Sequence, residues 1–440
     1  MSTIVSKFRS RVAAEPDALA LIFLQDGEND ELRLSFAELD RRAWSLAARL
    51  AEQGAFGERA LLLYAPGVDY VVAFLACLYA GVVAVPAYPP DPARLQRSLP
   101  RLLATVADSR CKFLLTTSQI ASFGQAMLEF APALREMRWL STDDGNEASR
   151  DGFSTPDIRG RDLAFLQYTS GSTGNPRGVM LTHDNLLHNL GLIASSLDVR
   201  KDTVGVSWLP PYHDMGLIGA ILCPLIHSGP LVLMSPLSFL QRPLRWLQAI
   251  SKYRAEASGG PNFAYDLCVR RVSAEEASRL DLSAWRAAFC GAEPIRRDTL
   301  EAFGRHFAVS GFRSQAFYPC YGLAEATLIV SGARLGAGAQ VFAADTQALM
   351  QNFVLRAEDP KSKTELVSSG NVLGEQSVIV VDPANGLALG EAAVGEIWVA
   401  GPSVALGYWE RSEESLATFR AYLADGRGPF LRTGDLGFLR

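Results

Sequence analysis

Cysteine is sparse in this 440-residue sequence, and none of it is paired. Cys77, Cys111, Cys223, Cys268, Cys290 and Cys320 lie far apart with no CxxC, which favours reduced buried thiols in a cytoplasmic protein over disulfides or a zinc site. Charge of one sign is also scarce. The net charge is −5 and the arginines are scattered among acids, so no face-sized basic cluster supports a nucleic-acid partner. The first eighteen residues, Met1 to Ala18, lack an apolar core and do not read as a secretory signal. No internal repeat or low-complexity tract is present. Uninterrupted apolar runs are few. Tyr70 to Tyr88 is uncharged and long enough to imitate a membrane span, but Gly81 and Pro86 divide it into a helix ending near Ala80 and the β-branched run Val82 to Val85. Gly216 to Leu240 is likewise broken, by Pro224, His227 and Pro230, and reads as core.

With 48% hydrophobic and 20% charged residues the chain can bury a large core, and its length suggests about two to four domains. Ser35-Phe36-Ala37-Glu38 forms a capping box, after which Leu39, Ala43, Leu46, Ala47 and Leu50 recur on one face, predicting a helix over 36–53. Ala60 to Tyr64 then reads as a strand, followed by the helix through Tyr79, the strand at Val82, a helix over 92–106 and a strand over 112–116. This alternation predicts a parallel sheet covered by helices on both faces. Thr182 can cap a helix through Leu186, Leu190 and Ile193, and Val204 to Leu209 reads as a strand. From Gly374 onward, short β-like runs separated by Asp382-Pro383 and Asn385-Gly386 turns suggest a smaller β-rich subdomain.

The most informative run is Tyr168 to Gly178, YTSGSTGNPRG, between the apolar segments Ala164-Phe165-Leu166 and Val179-Met180-Leu181. Glycine lets backbone N–H groups converge, and Thr169, Ser170, Ser172 and Thr173 add hydroxyl donors, so a loop between two strands can wrap an anionic oxygen cluster. A flexible Ser/Gly surface loop is the bland alternative. No lysine followed by Ser or Thr closes the run, so it is not a Walker loop. It resembles the phosphate-binding loop of the adenylate-forming superfamily, which comprises acyl- and aryl-CoA synthetases, luciferases and peptide-synthetase adenylation domains. Arg177 stands where that pattern usually has lysine, which keeps the charge and changes its geometry.

Further motifs make the resemblance specific. Tyr321-Gly322-Leu323-Ala324-Glu325 resembles the superfamily's YGxxE, which implies an aromatic ring against adenine, Gly322 and Ala324 beside the nucleotide, and Glu325 as a Mg²⁺ ligand. Read alone, Glu325 is an ordinary solvated charge. Thr433-Gly434-Asp435 resembles TGD, implying that Asp435 accepts hydrogen bonds from the ribose hydroxyls. Gly291-Ala292-Glu293-Pro294 matches the segment lining the adenine side, although alone it would be a strand-end turn. Thr169, Ser170, Gly171, Ser172, Thr173 and Gly174 would hold the phosphates. Trp208 to Leu217, WLPPYHDMGL, is similar to fatty acyl-AMP ligases, in which the histidine lies near the reacting carboxylate; here that is His213. Gly259 to Tyr265 and Ala87 to Pro90 also resemble that family. The first implies acyl contacts at Gly260, Asn262 and Phe263, while Asp214 leaves open an amine substrate of an amino-acid-activating relative.

The resemblance implies an α/β fold of two helix-flanked mixed or parallel sheets packed together. Residues 1–370 would form two interleaved α/β subdomains, and 371–440 a smaller distorted β-barrel ending at TGD. Val341 to Thr364, with a helix-like Asp345 to Leu355 and a charged Arg356 to Lys363 turn, matches an insertion of fatty acyl-AMP ligases. In that family it is thought to hinder the rotation that lets coenzyme A attack, so the adenylate passes to the phosphopantetheine arm of an acyl carrier protein. A surface insertion without a role is the alternative. Superfamily members continue past TGD into a domain with a catalytic lysine. Here lysine occurs only at Lys7, Lys112, Lys201, Lys252, Lys361 and Lys363, none in a matching motif, so this span is expected to lack that domain and to turn over slowly.

The implied reaction is attack of a fatty carboxylate on the α-phosphate of ATP, with Mg²⁺ at Glu325, giving acyl-AMP and pyrophosphate. Catalytic roles are expected for His213, Glu325 and Thr169. Two other readings stay open: an acyl-CoA synthetase, and a non-catalytic module that binds adenylate.

Overall fold

The computed structural model describes residues 2–90, 95–122, 131–145, 153–169 and 176–440. The chain divides into two interleaved units: Met1–Leu187 with Leu209–Pro236 and Tyr408–Ser412, and His188–Trp208 with Leu237–Gly407 and Glu413–Arg440.

In the first unit the expected alternation is present. Ser35 Oγ accepts the Glu38 N–H at 3.2 Å and starts the helix Phe36–Glu52, whose face of Leu39, Ala43, Leu46, Ala47 and Leu50 is buried. The helix Val68–Ala80 follows, apolar on almost every side because almost every side is covered. Tyr79 donates to the buried Asp40 carboxylate at 2.6 Å across this pair. A helix of that length is too short to span a bilayer, and among the described residues no helix is long and apolar enough to do so. The strands run in the order Arg138–Ser141, Phe113–Thr116, Arg59–Leu63, Val83–Ala87, Leu163–Thr169 and Arg177–Thr182. All neighbours are parallel except the last two, which form an antiparallel hairpin. The parallel strands are near-continuous Leu, Val and Ala, as burial on both faces requires. Leu19–Leu24 pairs parallel with Leu231–Met234 and antiparallel with Glu31–Ser35.

In the second unit the strands lie in the order Asn371–Val372, Ile329–Gly332, Phe317–Gly322, Ala287–Cys290, Ala257–Gly260 and Gly205–Ser207, parallel except where Ile329–Gly332 pairs with its two neighbours. Aromatic rings fill the space beside them. Trp246 and Trp285 lie 5.3 Å apart, Tyr265 and Phe303 5.1 Å, and Phe312 and Phe317 5.1 Å, all edge-on. Each such pair contributes about 0.5–1.5 kcal/mol beyond burial, so this cluster is a main anchor of the unit.

Two expectations are corrected here. The segment 345–355 holds only the short helix Thr346–Met350, capped by the Asp345 carboxylate and stopped where Asn352 turns to φ +62°. It sits between the paired strands Val341–Asp345 and Lys363–Val367. The β-rich end is an open antiparallel sheet, Ser377–Val381, Gly395–Ala400 and Leu431–Gly437, around Val381, Trp398, Leu423 and Phe430; no closed barrel forms among the described strands.

Candidate active site

The implied phosphate loop joins the two strands of the first unit's hairpin. Thr169 and Arg177 face one another across it, which agrees with the loop-between-strands reading, while Ser170, Gly171, Ser172, Thr173 and Gly174 lie outside the described residues. Both flanks are tied to one carboxylate. The Tyr168 hydroxyl donates to Asp108 Oδ2 at 2.7 Å, and Arg411 Nη2 donates to Asp108 Oδ1 at 2.8 Å and to the Pro176 carbonyl at 3.4 Å. The Arg177 guanidinium lies over the Tyr408 ring, 5.2 Å from its centroid.

The same unit holds the histidine segment. Gln167 Nε2 donates to the Tyr212 carbonyl at 3.1 Å, linking the strand before the loop to the residue before His213, and Tyr70 donates to the Pro211 carbonyl at 2.7 Å. His213 Nδ1 lies 2.6 Å from Asp214 Oδ1, and Asp214 also accepts the Met215 N–H at 2.6 Å. Burial disfavours the charged imidazole, but the Asp214 carboxylate outweighs it, so the His213 pKa is raised even though Arg101 opposes. Asp214 is thereby engaged with its neighbour. That arrangement fixes the ring and leaves Nε2 for a further partner. The Tyr88 and Tyr212 ring centroids lie 4.0 Å apart, and the Arg101 guanidinium lies over the Tyr88 ring, 4.8 Å from its centroid.

In the second unit the two expected carboxylates come together around Tyr321. Its hydroxyl donates to Asp435 Oδ2 at 2.7 Å. Burial first, then the nearby Asp435 and Glu325 carboxylates, push the phenol well above its ordinary pKa, so it remains a neutral donor. Gly322 is required by close approach, since a Cβ there would fall 1.7 Å from the Leu328 carbonyl oxygen. Glu325 sits in a single 3₁₀ turn, Ala324–Ala326. A buried amide anchors that turn: Asn189 Nδ2 donates to the carbonyls of Ala326 (3.3 Å) and Ile329 (2.9 Å), and Oδ1 accepts the Ile329 N–H at 3.1 Å. Thr327 is buried at φ +70° and donates to the Ser403 carbonyl at 2.6 Å. A left-handed β-branched residue is strained, and such strain concentrates at functional turns.

Gly291 to Pro294 follows the strand Ala287–Cys290, with Ala292 at φ +65°. The Glu293 carboxylate accepts the Phe263 N–H at 2.7 Å, near the start of the helix Asn262–Arg271, and Asn262 Oδ1 accepts the Arg296 N–H at 3.0 Å. Glu293 and Asn262 therefore tie the Gly291–Pro294 turn to the helix Asn262–Arg271. Gly260 ends the preceding strand, and Trp208 stacks on Phe239 at 3.9 Å with Phe263 edge-on at 6.0 Å, giving an apolar wall.

Sequence reasoning missed Asp108, Asn189, Arg411 and the buried Glu396 described below. Nothing in their local pattern marks them, because each acts on a segment distant in sequence. As for a metal, no group of three or more His, Cys, Asp or Glu side chains among the described residues could hold an ion alone. Mg²⁺ takes one or two carboxylates and completes its shell with phosphate oxygens and water, and Glu325 is a donor of that chemistry.

Comparison with known proteins gives the family. Residues 8–409 match the family described as AMP-binding enzyme. The chain is 44% identical to the medium-chain-fatty-acid–[acyl-carrier-protein] ligase JamA of Moorena producens, covering all of this chain and 75% of that protein. It is 36% identical to the corresponding ligase TtuA of Teredinibacter turnerae, over 99% of this chain and 74% of the relative. The crystal structure of the fatty acyl-adenylate ligase from L. pneumophila, in complex with acyl adenylate and pyrophosphate, superposes with a TM-score of 0.92 at 42% identity, covering 100% of this chain and 75% of that one. The chain belongs to the AMP-binding enzymes of the adenylate-forming superfamily, among the fatty acyl-AMP ligases.

Proposed function

We propose that the protein activates a fatty carboxylate with ATP and hands the resulting acyl-adenylate to the phosphopantetheine thiol of an acyl carrier protein. A carboxylate oxygen attacks the α-phosphorus, the bond to the bridging oxygen of the β-phosphate breaks, and pyrophosphate leaves with that electron pair. The observation that carries this reading is the grouping of Tyr321, Glu325 and Asp435. Tyr321 offers its ring to adenine, and Asp435 accepts from the ribose hydroxyls. Glu325 holds Mg²⁺, which when bound neutralises charge developing on the phosphate oxygens. Thr169 and the residues to Gly174 supply donors to the phosphates, with Gly291, Ala292 and Glu293 beside the base. His213, oriented by Asp214, meets the substrate carboxylate, and its raised pKa favours the cation that attracts it. Gly260, Asn262 and Phe263 border the hydrocarbon. The carrier protein as acceptor is supported by the names of the two relatives and by the 341–364 insertion.

The test is binding of an acyl-sulfamoyl-adenosine, a stable mimic of the adenylate, together with pyrophosphate release from ATP and dodecanoate. Glu325→Ala and Asp435→Ala are expected to weaken each by roughly 10-fold or more. Unchanged affinity in both variants would sink the assignment. Offering holo carrier protein and coenzyme A side by side separates the ligase from a coenzyme A synthetase.

A further inference from the structure

Asp435 is exposed and lies in the strand Leu431–Gly437, where a regular ladder would point alternate side chains to opposite faces. The ladder is not regular there. Glu396 pairs with Leu436 and Trp398 with Arg432, so the single residue Ile397 on one strand faces three on the other, and Thr433-Gly434-Asp435 bulges out. The Glu396 side chain fills the bulge. Only 6% of Glu396 is exposed, and its carboxylate accepts from Arg432 Nε at 3.1 Å, from Arg432 Nη2 at 2.8 Å and from the Gly434 N–H at 3.2 Å. Gly434 is left-handed, φ +74°, a conformation that turns its N–H inward at little cost only for glycine. Thr433 Oγ1 completes the bulge by donating to the Ile397 carbonyl at 2.7 Å and accepting the Asp435 N–H at 3.1 Å. The bulged backbone is thus satisfied from within by a buried ion, and Arg432 neutralises that ion so that it does not repel Asp435. On the outer side Tyr321 holds Asp435 Oδ2, which leaves Oδ1 without a hydrogen bond among the described residues.

We propose that Glu396 is a positioning residue for the nucleotide-sugar site: its buried carboxylate templates the bulge that aims Asp435 Oδ1 at the ribose diol. The inference rests on the reading of Asp435 as the ribose acceptor. Glu396 touches neither nucleotide nor acyl chain, and its effect passes through the Gly434 N–H. A residue that only stabilised the fold would weaken all nucleotides alike. A residue that aims Asp435 affects only those with sugar hydroxyls.

Titration calorimetry with ATP and with 2′,3′-dideoxy-ATP separates these cases. The unmodified protein is expected to prefer ATP roughly 10- to 100-fold, the usual worth of hydrogen bonds to a charged acceptor. Glu396→Gln keeps the volume and one acceptor oxygen, but it removes the charge and turns an amide N–H toward either Arg432 or the Gly434 N–H, each of which needs an acceptor. The preference is expected to fall to about threefold or less, through weaker ATP binding with dideoxy-ATP unchanged, as the charged bonds are lost. Thr433→Val, which removes the other tie within the bulge, should act in the same direction, and it decides alone if Glu396→Gln shows no cooperative unfolding transition. Asp435→Asn is the control. If it keeps the full preference, the ribose reading itself fails. If it loses the preference while Glu396→Gln and Thr433→Val keep it, the ribose reading stands and the positioning role is overturned. Parallel weakening of both nucleotides by Glu396→Gln also overturns it.

Discussion

The turn that presents Glu325 and the bulge that presents Asp435 meet at Tyr321, yet they are built from different chemistry. The Glu325 turn hangs on the fully buried, uncharged amide of Asn189, with Thr327 locked in a strained conformation beside it. The Asp435 bulge is filled by the Glu396–Arg432 ion pair, whose arginine side chain is 41% exposed. A neutral amide holds a turn by geometry alone, each of its bonds being lost outright if the donor or acceptor is removed. An ion pair with one end in water tolerates adjustment and gives less net stability. The site therefore combines a rigid support for the proposed metal ligand with a more adaptable one for the proposed sugar ligand.

The severest way to break this contrast is Asn189→Leu. It removes the acceptor of the Ile329 N–H and the donor to the carbonyls of Ala326 and Ile329, all buried, and urea unfolding should show a loss on the order of 3 kcal/mol or more. Were Asn189→Leu no more destabilising than Glu396→Gln, the two supports would be equivalent after all. Next in size is Thr327. Thr327→Val deletes the hydroxyl bonded to Ser403 and keeps the strain, for an expected loss of about 1–3 kcal/mol. Thr327→Gly deletes the same bond but relieves the left-handed backbone, so it should unfold at a higher urea concentration than Thr327→Val, by about 1 kcal/mol. The reverse order would show that φ +70° carries no strain there.

The smallest effect is a difference in pH response. His188 Nδ1 lies 2.7 Å from Ser403 Oγ, beside the Asn189 network, and burial lowers its pKa against the opposing pull of Glu375. The unfolded chain then takes up the proton first, so this contribution is full above the ordinary histidine value of 6.5 and declines as the pH falls below it. For Glu396, burial raises the pKa, but Arg432 together with the neighbouring N–H donors outweighs burial and the net shift is downward. Its contribution persists above the ordinary carboxylate value of 4.5 and is lost only as the pH falls through the depressed value. Between about pH 7 and pH 5, hydrogen-exchange protection of the Ile329 N–H, corrected for intrinsic rate, should decrease while that of the Gly434 N–H holds. Equal loss at both amides would remove the distinction.

Much of the scaffold could be read from residue order alone, because its determinants are local. Ser35 and Glu38 announce a helix three residues apart, Gly81 stops one, and the Val82 to Val85 run declares a buried strand. Glu325 and Asp435 were nominated by short motifs, and the Tyr321 hydroxyl joins the two segments. Their supports were not legible. Asn189 bonds to residues 137 and 140 positions away, and Glu396 to residues 36 and 38 away, so no window of sequence contains both partners. The overlong helix in the insertion has another cause: Gln351 is a good helix former, and Asn352, whose positive φ ends the helix, is a stop signal weaker than glycine. The expected barrel became an open sheet because strand count and alternation do not say whether edges close.

Asp108 has a consequence for how this hairpin could evolve. One of its oxygens accepts from Tyr168 on the incoming strand, and the other from Arg411, which also donates to Pro176 on the outgoing side. A slip of the strands past one another by a single pairing step would strip the carboxylate of one donor while the other stayed in place. The hairpin is pinned in register from outside itself, so lengthening either arm carries a penalty that the sheet ladder alone would not impose.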